Sequence, residues 1–139
     1  MARYQIIDEP DTKPWGENLI VDPVLILFAA IIVPLFWQPP YMGRYWIPAL
    51  WLLVTGIALG SSTLKEEIAT MILGAIAWYG VFWIIARFWS AGFIPGEAAD
   101  VYPYLHILQF GVFFLTLYLV VFKQSQSYAI FDYVRGRDR

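Results

Sequence analysis

No cysteine occurs anywhere in the 139 residues. That removes disulfides, thiolate metal sites, iron–sulfur clusters and covalent c-type haem at once. A single histidine is present, so a haem held by two histidines of this chain is excluded. Charge is scarce as well. Charged residues make up 14% of the chain, against about 25% in an ordinary soluble domain. The net charge of −2 comes without a basic stripe, which argues against a nucleic-acid partner. There is no Gly-rich phosphate loop, no paired-histidine metal motif and no DNA-binding signature. Ser, Thr and His do not recur at spacings that pair a nucleophile with a base. The chain therefore reads as a non-enzyme. Lipidation motifs and fixed-period repeats are also missing. The N-terminal residues 1–18 are polar and net acidic, unlike the basic start of a signal peptide.

What is present in quantity is apolar surface. Hydrophobic residues make up 60% and aromatic residues 19%, with a mean hydropathy of +0.60. A chain this short cannot hide so much apolar surface in a water-soluble core. The expected fold class is an all-α integral membrane protein. Four transmembrane helices, at about 21–37, 45–60, 66–86 and 102–122, form a bundle with short hairpin connections. A polar tail at 1–18 precedes the transmembrane domain at 19–122, and a polar, basic tail at 123–139 follows it. The reference segment is Thr63 to Trp89, which carries no charge from Ile68 to Ala86. Roughly 20 apolar residues cross the roughly 30 Å hydrocarbon core of a bilayer.

Local signals mark the helix ends and contacts. Asp22 before Pro23 predicts a capped start to the first helix. Thr63 and Glu66 match a capping box for the third, and Glu67 suits the positive end of the helix dipole. Glu66 and Glu67 diverge by about 100° around a helix, so a shared metal or proton site is disfavoured and both read as helix-start residues. Pro48 and Pro103 are expected in first turns. Gly56 and Gly60 form a GxxxG pair, and Gly74, Ala77 and Gly80 put small residues along the third segment, predicting helix-packing faces. Gly92, Pro95 and Gly96 punctuate a connection expected over 87–101. Trp15 reads as an interfacial anchor.

Basic residues set the expected orientation. Arg3, Lys13, Lys65, Lys123, Arg135, Arg137 and Arg139 fall on one side of a four-crossing chain, against Arg44 and Arg87 on the other. The positive-inside bias puts both termini in the cytoplasm, in a prokaryotic inner membrane or an organellar equivalent. The outer half then carries an aromatic belt that includes Trp37, Trp46, Trp89 and Tyr104.

One polar cluster invites a ligand. His106 has Gln109 three residues on and Tyr102 four residues before, on one helix face. Arg87 joins them if the third and fourth segments are neighbours. Such a group suits a quinone head, a pigment, or a haem whose second ligand comes from another chain. Simple hydrogen bonding between helices explains it more economically. The midplane stretches around Ile31, Leu53, Tyr79 and Leu115 are almost wholly apolar, which argues against an ion-coupled transporter acting alone. The expected function is a non-catalytic structural or accessory subunit of a larger membrane complex. Its expected partners are the lipid bilayer, other membrane subunits and a cytosolic partner reached through either tail. Two alternatives stand beside it: a redox or photosynthetic anchor that helps bind quinone, haem or pigment, and a small homo-oligomeric transporter or channel.

Overall fold

The structure is a computed structural model that describes residues 11–37 and 41–137. These residues form a short 3-10 helix, Pro14–Leu19, and four α-helices. They are α1 (Pro23–Phe36), α2 (Tyr41–Leu59), α3 (Leu64–Ser90) and α4 (Ala98–Arg137). Three helical stretches, Pro14–Phe36, Leu64–Ser90 and Ala98–Gly136, are long and apolar enough to cross a membrane. Tyr45–Leu59 is a shorter apolar helix.

Each helix has an identifiable start or stop. The Asp22 side chain accepts from the Val24 amide at 2.9 Å, and Pro23 occupies the first helical position of α1. At the end of α3, Gly92 takes φ +78. The Gly92 amide donates to the Trp89 carbonyl and the Phe93 amide to the Phe88 carbonyl, both at 3.0 Å. This is the double-bonded glycine stop in which the two flanking apolar residues also meet. The Phe88 and Phe93 rings lie 5.7 Å apart. At the start of α4, Asp100 Oδ2 accepts from the Glu97 amide at 3.0 Å, so Asp100 reaches back to the residue before the helix.

Two extents differ from the sequence reading. The connection expected over 87–101 shrinks to the residues between Ser90 and Ala98, because the glycine stop acts only at Gly92. The fourth helix does not end at 122. It continues through the expected polar tail to Arg137, giving 40 residues, or about 60 Å. The reason is packing. Gln124 and Ser127 are buried in the continuation, and Arg135 comes within 3.9 Å of Glu17. Longer helices also move Pro48 and Pro103 out of first turns and into helix interiors.

In the bundle α2 and α4 are the inner pair. Both contact α1 and α3, whereas α1 and α3 do not touch among the described residues. The most extensive contact is between α3 and α4. The apolar core joins Ile26 and Ala30 of α1, Leu52 of α2, and Leu117, Val120 and Val121 of α4. The 3-10 helix docks on the C-terminal end of α2, where the Lys13 amide donates to the Ala58 carbonyl at 2.9 Å. Gly16 permits that approach, since a Cβ there would collide with Ala58. Trp15 is exposed on the same turn.

The glycines expected to pack helices behave differently from one another. Gly74 faces α4, and a side chain there would collide with Thr116. A side chain at Gly80 would meet open space, and Ala77 is exposed. These three do not share one packed face. Gly60 lies beyond the end of α2 with φ +62, so it is a turn glycine rather than half of a helix-packing pair. Gly74→Ala is expected to destabilise by about 1–3 kcal/mol through overpacking. Gly80→Ala is expected to be neutral or to stabilise by up to about 1 kcal/mol through helix propensity. Denaturant unfolding of both variants in one detergent checks the contrast, and equal losses would contradict the assigned faces.

Candidate functional site

Two polar groupings lie at opposite ends of the bundle. The first was missed by sequence reasoning. Glu67, in the first turn of α3, is 1% exposed. A carboxyl withdrawn from water needs hydrogen-bond partners, and Glu67 has three. Ser61 Oγ and Thr63 Oγ1 donate to Oε1 at 2.6 and 2.7 Å. Gln124 Nε2 of α4 donates to Oε2 at 2.7 Å.

The Gln124 amide nitrogen also donates to the Leu52 carbonyl of α2 at 2.8 Å. Ser127 Oγ lies 3.2 Å from Ser61 Oγ. As the Ser61 hydroxyl hydrogen goes to Glu67, Ser127 is the donor in that pair. Gly56 of α2 makes room for the group, because a Cβ there would sit 2.7 Å from both Gln124 Nε2 and Glu67 Oε2. One carboxyl thus ties α2, the turn after it, α3 and α4 together.

The capping box expected at Thr63 and Glu66 is not formed. Thr63 precedes α3 without a side-chain cap bond, because its hydroxyl is engaged by Glu67. Glu66 turns outward and pairs with Lys123 of α4. The two adjacent glutamates therefore divide as helix geometry requires. One forms an exposed ion pair with Lys123, and the next forms a buried hydrogen bond with Gln124, giving two tiers across the same helix pair. Gln124 gives two donations through Nε2, while its Oε1 is buried without a hydrogen-bond partner. The signal for this clasp was Gln124 with Ser127 three residues on, a polar pair on one face of a helix read as tail.

The second grouping contains the sequence candidates. Tyr102, His106 and Gln109 all line a cavity of about 630 Å³ between α3 and α4, together with Trp78, Phe82 and Trp83. Gln109 is buried, and the Tyr102 and His106 rings lie 5.8 Å apart. Arg87 does not line this cavity and is exposed at the end of α3. The arrangement offers aromatic faces for a planar group and polar side chains at one wall. Among the described residues, no group of three or more His, Asp or Glu side chains is placed to hold a metal ion.

Comparison with known protein families, curated proteins and solved structures finds no match. The functional reading therefore rests on the geometry alone.

A double-mutant cycle tests the clasp. Glu67→Leu and Gln124→Leu should each destabilise by about 1–3 kcal/mol for every buried group left unpaired. The double variant should cost less than their sum by at least about 0.5 kcal/mol, as expected for directly bonded residues. Unfolding in a common detergent provides the measurement, and strict additivity would mean that the two side chains do not interact.

Proposed function

We propose that this chain is a non-catalytic accessory subunit of a larger membrane complex, in which α3 offers a face to a neighbouring transmembrane helix. The observation that supports this is the side of α3 turned away from the bundle. Ala69, Leu73, Ile76, Ala77, Gly80 and Ile84 fall within an arc of about 100°. Leu73, Ile76 and Ile84 are exposed, and the space above Gly80 is open. A glycine notch between large apolar side chains suits close helix approach in lipid. The buried carboxyl fits a structural role too, because its three bonds fasten helices together.

In this reading all four helices cross the membrane. The 3-10 helix extends the short α1, and α2 spans about 28 Å with 19 residues. Both termini are cytoplasmic. Lys13, Lys65, Lys123 and Arg135 gather at the Glu67 end, and Arg87 marks the other. A tagged chain purified from native membranes should bring other membrane subunits with it at fixed stoichiometry. Gly80→Leu should lose them while keeping its helical content. Recovery of the wild-type chain as a homo-oligomer alone would overturn the reading in favour of a small transporter or channel.

A second reading is favoured by the cavity between α3 and α4. His106, Gln109 and Tyr102 lie on its wall beside Trp78 and Trp83, a combination suited to a quinone head, a pigment or one side of a haem. Such a group would make the complex a redox or light-driven one. The absorption spectrum and quinone turnover of the purified complex should then change on His106→Ala. Identical spectra and turnover would remove this reading.

A further inference from the structure

A second cavity, of about 300 Å³, lies between α2 and α3 above α4. Ala49 and Leu53 form one wall, Ile68, Ile72 and Ala75 the other, and Leu117 part of the floor. One end is closed by aromatic rings that also line the cavity. Tyr45 packs edge-on against Trp78 with centres 5.1 Å apart, and against Phe113 at 5.0 Å. From Ile68 to Trp78 the slot runs about 15 Å along α3 at 1.5 Å per residue. Ile72 and Leu50 on its rims are exposed.

Beyond the other end, one turn along α3, lies a charge. Lys65 is exposed one turn before Ile68. It shares a helix stripe with Ile68, Ile72, Ala75 and Tyr79, at spacings of three and four residues that repeat on one face. The neighbouring carboxyls are occupied elsewhere. Glu66 pairs with Lys123, and Glu67 is enclosed by Ser61, Thr63 and Gln124. Lys65 makes no ion pair among the described residues. An apolar slot with a blind aromatic end and, one turn of α3 beyond its other end, a lysine without an ion pair among the described residues matches an anionic amphiphile.

We propose that this slot holds one acyl chain of an anionic phospholipid, with the lipid phosphate at Lys65. The assignment rests on α3 crossing the bilayer with its Lys65 end at headgroup level, a reading that detergent-dependent solubility tests separately. Lys65 supplies headgroup selectivity, and the slot supplies retention. The basic residue is set at the level where cytoplasmic-leaflet anionic lipids present their charge.

The full chain, delipidated in detergent, can be titrated with phosphatidylglycerol or phosphatidylcholine of identical acyl chains and observed by native mass spectrometry. One lipid per chain is expected to persist. The anionic lipid should be preferred roughly fivefold, the effect of one lysine near a headgroup. Lys65→Ala should bring the preference close to unity while the adduct remains. Ala75→Phe and Ala49→Phe fill the slot from opposite walls, and either should remove the adduct for both lipids. An unchanged preference in Lys65→Ala, or an adduct surviving both phenylalanine variants, would overturn the proposal. Equal saturation by oleate would also overturn it, in favour of a free fatty acid.

Discussion

Glu67 carries a carboxyl into a region where α2, α3 and α4 exclude water, and the local geometry follows from the need to satisfy it. Three donors converge on its two oxygens. They come from the turn after α2 and from α4, so satisfying one side chain fixes the positions of three helices. Gly56 follows from the same need, because a methyl group on α2 would occupy the space of the Glu67–Gln124 bond. The tight turn does as well. Gly60 at φ +62 returns the chain so that Ser61 and Thr63 both face the carboxyl. A hydrogen bond within a protein contributes only about 0.5–1.5 kcal/mol net. The clasp therefore acts more through direction than through strength, selecting a rotation of α3 that leaves neither carboxyl oxygen of Glu67 stranded.

The opposite end of the bundle is fixed by different means. Tyr45, Trp78 and Phe113 join α2, α3 and α4 through ring contacts, which use area and quadrupole geometry rather than polar pairing. Between the polar clasp and the aromatic cluster, α3 stays close to α4, where Gly74 seats on Thr116. It separates from α2, and the slot opens there. The cavity is thus a consequence of two end fastenings combined with one close helix pair. Its position beside Lys65 follows from the clasp, because the rotation that turns Glu67 inward also sets Lys65 on the stripe that lines the slot.

Much of the architecture was legible in the sequence, and the exceptions have physical causes. The charge-free run from Ile68 to Ala86 and the Asp22–Pro23 start read correctly as helix, because length and capping are local properties. The extent of α4 did not. Gln124, Ser125, Gln126 and Ser127 look like the beginning of a tail when polarity alone is judged, yet Gln124 and Ser127 face inward to partners 57 and 66 residues away. The meaning of Glu66 and Glu67 was likewise hidden. Their divergence was predictable from 3.6 residues per turn, but which one turns inward depends on α4. Tyr102, His106 and Gln109 do line one cavity, since a shared helix face is a local feature. Arg87 is outside it, one turn of α3 beyond Trp83, the last α3 residue that lines the cavity.

The glycines of α3 show why small residues cannot be read without a partner. Gly74 and Gly80 have the same chemistry in the same helix, six residues apart, and so point in directions about 120° from each other. Gly74 turns to Thr116 and closes a contact inside the chain, while Gly80 turns to open space. A side chain at Gly80 would meet none of the described residues, so this open glycine among large apolar side chains gains nothing from this fold alone. It even lowers helix propensity, by about 1 kcal/mol against alanine. Under the proposed subunit reading, a residue that weakens its own helix and packs against nothing among the described residues would gain its use from a contact supplied from outside. That connects the open face of α3 to the subunit reading more directly than the apolar character of the surface does.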